Sequence, residues 1–120
     1  MQDVRQIINK IKMNDITLNE LINCLDHSNI LIKANAIFQL VKLKVHDELA
    51  LEKLVQLAKR IDEEPKVLGQ YNNGFFALAT LNWLETESSV NKFEEIALNI
   101  SLEKRSILTK LIEEKPYLYL

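Results

Sequence analysis

Apolar residues recur at helical spacing almost from the start of the chain. Val4, Ile7, Ile8 and Ile11 stand at i, i+3, i+4 and i+7, one stripe of a helix over about residues 3–13. Thr17-Leu-Asn-Glu20 has the form of a capping box, flanked by Ile16 and Leu21 as a hydrophobic staple. The helix it starts carries Leu18, Leu21, Ile22 and Leu25 and stops at Asp26-His-Ser-Asn29, a connection so short that the next helix must turn back nearly antiparallel. ILIKANAIFQLVKLK then keeps helical spacing from Ile30 to Leu43, and His46-Asp47 breaks it and caps ELALEKLVQLAKRI. Thr86-Glu-Ser-Ser89 is the next polar break, a helix runs from there to about Ile100, and Ser101 caps a last helix that ends before Pro116. Only the terminal PYLYL alternates with a period of two, so the expected fold is all-α with about seven helices.

The stretch GQYNNGFFALATLNWL, Gly69 to Leu84, is harder to place. Asn-Asn-Gly between apolar residues is locally a hairpin signal. Against that, Val67, Tyr71, Gly74 and Leu78 keep a helical spacing, and Pro65 is well suited to a first helical position because its missing N–H is unpaired there anyway. The spacing predicts one long helix from about Pro65 to Glu85, with both glycines where a neighbouring helix comes close and with a break near Asn72-Asn73 as the alternative.

The helices also resemble one another. Leu18, Leu21, Ile22 and Leu25 align without gaps with Leu54, Leu57, Ala58 and Ile61, and with Phe93, Ile96, Ala97 and Ile100. Ala36, Ile37, Leu40 and Leu43 align with Ala77, Leu78, Leu81 and Leu84, then with Ile107, Leu108 and Leu111. The intervals, about 30 to 41 residues, fall in the range of stacked helix-pair repeats. LINCLDHSNILIKANAIFQL, Leu21 to Leu40, resembles a HEAT repeat: an apolar first helix ending in Leu25, a polar turn, the aliphatic-basic pair Ile32-Lys33, the small Ala36 and then Leu40. The second and third units depart from that pattern, with Asn73-Gly74 in place of the aliphatic-basic pair and Ile107 in place of the small residue. The resemblance implies a right-handed stack of antiparallel pairs whose second helices line a concave face that binds proteins, or in some members nucleic acids or cofactors. It divides the chain into a capping helix (1–15), three pairs (16–45, 47–86 and 88–115) and a tail (116–120). An irregular single-core bundle is the competing architecture.

Composition narrows the function. In 120 residues with a formal charge of −2, lysines and arginines are diluted by acids, which disfavours a phosphate-tracking surface and so nucleic acid. No apolar run reaches the ~20 residues of a membrane span. The single cysteine, Cys24, and an N-terminus without signal-peptide character point to a cytoplasmic location.

Catalytic groups are few. Cys24 and His27 are near in sequence but read as a core-flanking thiol and a turn residue. The pairs Glu63-Glu64, Glu94-Glu95 and Glu113-Glu114 diverge by about 100° on a helix instead of converging. With no metal-ligand spacing and no phosphate-binding glycine loop, neither an enzyme nor a cofactor is expected.

What remains is a binding surface. Flanking the buried stripe of the second helices are Asn35, Phe38, Gln39, Lys42, Phe76, Thr80 and Trp83, which on a concave face would present partly exposed aromatics to a protein partner. The competing reading buries Phe38, Phe76 and Trp83 between the units. If Trp83 is exposed, Trp83→Ala weakens partner capture and leaves the melting temperature nearly unchanged. PYLYL either folds back on the last helix or pairs with another copy, so a monomer or weak homodimer is expected. The favoured function is a non-enzymatic protein-interaction adaptor. The alternatives are an immunity- or antitoxin-type protein that neutralises a cognate protein, and a HEAT-like nucleic-acid binder.

Overall fold

The computed structural model describes residues 3–118 and contains seven α-helices among them. They are α1 (Val4–Lys12), α2 (Leu18–Asn23), α3 (Ile30–Lys42), α4 (Glu48–Lys59), α5 (Asn73–Trp83), α6 (Glu87–Ala97) and α7 (Leu102–Glu114), with 3₁₀ turns at Cys24–Asp26 and Pro116–Leu118. Of the expected capping helix and tail, Met1, Gln2, Tyr119 and Leu120 lie outside the described residues.

Polar caps set the helix starts. Thr17 Oγ1 accepts from the Glu20 amide and the Glu20 carboxylate accepts from the Thr17 amide, which satisfies two otherwise unpaired donors reciprocally. Asp3 with Gln6 and Thr86 with Ser89 form the same box, while Asn29, Asp47 and Ser101 cap α3, α4 and α7 singly. The ends are set differently, because glycine is scarce. Asn14, Lys44, Glu85 and Lys115 take left-handed φ values of 49–57° just beyond α1, α3, α5 and α7. After α1 and α3 the next amides, of Asp15 and Val45, return to Lys10 and Leu40, the long-range bond of a Schellman cap.

The long helix expected from Pro65 to Glu85 does not form. Lys66–Leu68 (β1) and Tyr71–Asn72 (β2) pair antiparallel, and α5 begins only at Asn73. Gly69, at φ +57°, takes the first place of the two-residue turn, where a positive φ is required. Asn-Asn-Gly is therefore no turn: Asn72 Oδ1 accepts from the Phe75 amide as N-cap of α5. The same side chain donates to the carbonyls of Ile61 and Glu64, fastening the end of α4 to the start of α5. Close approach is real at Gly74, where an added Cβ would lie 2.6 Å from Ile61 Cα, and not at Gly69, which has nothing nearby.

The core forms around α5, which packs against α3, α4, α6 and α7. Every residue from Tyr71 to Leu81 is buried, so α5 has no solvent face. The aligned positions of the other helices also point inward, apart from the exposed Leu18 and Leu43 and the half-buried Ala97. On one side α4 packs against α6 and touches α2; on the other, α5 lies between α3 and α7. The radius of gyration of 13.3 Å equals that of a compact globule of this length, about 13.6 Å.

Candidate functional site

The face expected to carry the partner site is closed. Phe76 is 1% exposed and Trp83 7%, and Phe38, Gln39 and Thr80 are buried with them. Phe38 and Phe76 pack edge to face at 4.8 Å between ring centres, the arrangement their quadrupoles favour. Trp83 donates its Nε1–H to the Ile112 carbonyl at 3.2 Å and holds the Tyr117 ring at 4.7 Å. The Pro116–Leu118 turn also packs on α3. Thus the described part of the tail folds back against α3 and against Trp83 of α5, and the aromatics expected on a surface are buried. Only Asn35 and Lys42 of that set reach solvent, and Asn35 Nδ2 is engaged by the Leu31 carbonyl one turn back.

Polar groups in the interior mostly fasten the chain. Glu64, buried at the end of the α4–β1 connection, meets Lys33 Nζ at 3.2 Å and Arg60 at 3.6 Å. Asn73 Nδ2 donates to the Ile30 carbonyl, while Asn73 Oδ1 and Thr80 Oγ1 are buried without a partner. Nearby, Lys53 pairs with Asp26, and Lys104 pairs with Asp62. Arg105 donates to the carbonyls of Ala97 and Leu98, capping the negative end of α6.

The groups with catalytic potential are not assembled. Burial, with the Glu20 charge second, pushes the Cys24 thiol up, away from the reactive thiolate. His27 Nδ1 accepts from the Asn29 amide within its turn. Glu94 and Glu95 point to solvent, and Glu114 accepts from the Tyr71 hydroxyl. Among the described residues no group of three or more His, Cys, Asp or Glu could hold a metal ion, and no helix is long and apolar enough to cross a membrane.

An open groove lies elsewhere, between α4 and α6. Its wider part encloses about 610 Å³ over Val55, Ala58, Ile61, Ile96 and Ile100, with Lys59, Asp62, Lys92, Glu95 and Asn99 around them. A second part of about 450 Å³ continues it past Leu51, Glu52, Gln56 and Ser88 to Glu48. Glu48 and Ser88, near the two helix starts, share one end, whereas Ile61 and Ile100, just past the two helix ends, share the other; α4 and α6 therefore run in the same direction. Of the apolar lining, Ala58, Ile61 and Ile96 belong to the core, and Val55 and Ile100 are half-buried. Sequence reading did not foresee this groove, although the inner stripe it gave to Ile96 and Ile100 holds: Ile96 is buried in the core and Ile100 packs against it. The available signal was that Ser88, Asn91, Lys92 and Glu95 leave α6 with a narrower apolar stripe than α5 has.

Fold and site together define an all-α chain, with seven helices among the described residues and a groove of mixed apolar and charged lining between α4 and α6. In comparisons with known proteins, no family model, no curated protein and no solved structure matches this chain.

Proposed function

We propose that this protein is a non-enzymatic protein-interaction module, a short HEAT-like stack that binds its partner through the α4/α6 groove. The observation that carries the reading is the groove itself, about 610 Å³ in its wider part, with the half-buried Val55 and Ile100 among its lining. The packing of α2, α4 and α6 on one side and α3, α5 and α7 on the other supports the stacked arrangement. The binding side in this reading is the α4/α6 side, since Phe38, Phe76 and Trp83 of α3 and α5 are buried.

Site-directed photo-crosslinking in the source cell tests this. A benzophenone side chain placed at Gln56 or Asn91, beside the groove, should give discrete protein adducts, and one placed at Thr109 on α7 should give none. Equal labelling from all three positions, or recovery of nucleic acid alone, would overturn the proposal.

A further inference from the structure

We infer that Asn73-Gly74 is a latent modification site: its deamidation is held off by the fold, proceeds only when α5 leaves the core, and then prevents that helix from returning. This is independent of the α4/α6 groove. Among the chain's asparagines only Asn73 is followed by glycine. That pairing is the most reactive one for deamidation, because no side chain on the following residue hinders attack by its nitrogen. The Gly74 amide nitrogen, its proton taken by solvent hydroxide, bonds to Asn73 Cγ while the Cγ–Nδ2 bond breaks, and Nδ2 leaves as ammonia with a proton from water. Water then opens the resulting succinimide at either carbonyl, giving an aspartate or an isoaspartyl linkage. Water enters, ammonia leaves, and nothing is oxidised or reduced.

The fold closes this route in several ways. Asn73 is the first residue of α5, and ring closure needs the Gly74 nitrogen eclipsed with Asn73 Cβ across the Cα–C bond, a rotation far from the helical ψ of about −42°. Asn73 is 0% exposed and Gly74 is buried beside it, so hydroxide and water have no access. Asn73 Nδ2, the group that must leave, donates to the Ile30 carbonyl at 3.0 Å. Packing also explains why so reactive a pair stands here: a Cβ on Gly74 would lie 2.6 Å from Ile61 Cα, and Asn73 ties α5 to the start of α3. The product closes the way back. An aspartate would set an oxygen against the Ile30 carbonyl, acceptor against acceptor, with its other oxygen where Oδ1 is already buried without a partner among the described residues. An ionised carboxylate there is far costlier to bury than an amide. An isoaspartyl linkage instead adds a methylene to the backbone inside the first turn of α5, where Asn72 caps the Phe75 amide.

The test follows conversion at Asn73 by mass spectrometry of peptides from the full chain, held at neutral pH either folded or in guanidinium chloride. The folded chain should convert at least about a thousandfold more slowly than the denatured one, the ratio of folded to open molecules setting the margin. Because the reaction draws on the open population, loosening the core should speed it. Ile22→Val, at a buried site of α2 outside α5 and its caps, should raise the folded-chain rate about twofold to tenfold, and Phe76→Ala by about a hundredfold or more. Equal rates in the folded and denatured chain, or a folded-chain rate indifferent to Ile22→Val, would overturn the gating by the fold. For the return, chains partly deamidated in denaturant are diluted back into buffer and challenged with protease. Molecules modified at Asn73 should stay sensitive while unmodified ones in the same sample become resistant; modified chains that regain resistance would overturn the one-way step.

Discussion

Helices α5 and α6 are equal in length, adjacent in sequence and packed on each other, yet they are built by opposite rules. α5 is apolar on every side, so nothing in its residue pattern orients it; its neighbours do, through Asn72 at its start, Gly74 against Ile61 and Trp83 against Ile112. α6 is amphipathic, capped at its start by Thr86 and at its end by Arg105, and uses little more than Ile96 and Ser89 for burial. One helix therefore holds the fold and the other keeps one face open to solvent. Substitutions in α5 should act on stability, and substitutions on the open face of α6 should act on recognition.

The largest effects should come from emptying the α5 environment. Phe76→Ala removes the ring that meets Phe38 and Tyr71 and should cost about 3–5 kcal/mol, whereas Glu94→Ala on α6 should stay within about 0.5 kcal/mol in the same denaturant titration. Comparable losses for the two would erase the contrast. Trp83→Ala should cost about 3–5 kcal/mol as well, the reverse of what an exposed binding tryptophan would show. Trp83→Phe separates packing from the hydrogen bond: an aromatic stays against Tyr117 while the donor to Ile112 goes, for a loss of about 1 kcal/mol. Next in size is Gly74→Ala. Its methyl would press on Ile61 backbone, and overpacking of that kind should cost about 1–3 kcal/mol with a visible shift of the α4–α5 amide signals. A neutral Gly74→Ala would mean that α4 and α5 are not held together there.

The same contrast explains what could be read from the sequence. Helix starts were legible because a cap is local: Thr17, Asp47, Thr86 and Ser101 each satisfy donors within three residues. Helix ends were less so, since Lys44 and Glu85 occupy left-handed positions that sequence reasoning assigns to glycine. The region from Pro65 to Trp83 misled for two reasons. A uniformly apolar segment fits a helix in any rotation, so Phe76 and Trp83 could be set on either side of it. The hairpin, in turn, is only a few residues long and is recognisable from Gly69 alone once its φ is known. The groove could not be read from one helix at all, because it exists only where α4 and α6 lie side by side.

The smallest expected effect belongs to the surface caps and depends on pH. Glu20, fully exposed in the cap of α2, is held below its ordinary value first by the hydrogen bond from the Thr17 amide and then by that from the Thr17 hydroxyl. A carboxylate whose folded pKa is lowered contributes stability above its unfolded value and loses it as pH falls through the folded one. Glu20→Gln keeps an acceptor oxygen but cannot ionise, so its deficit against the natural chain should be greatest near neutrality and shrink towards pH 3. Thermal melts of the two proteins across that range decide it; parallel curves would show that the charge on Glu20 adds nothing to the cap. A buried counterpart such as Asn72→Ala, which takes away the cap of α5 and the clamp on Ile61 and Glu64 together, should cost the same at every pH at which the fold is otherwise intact, because no proton is involved.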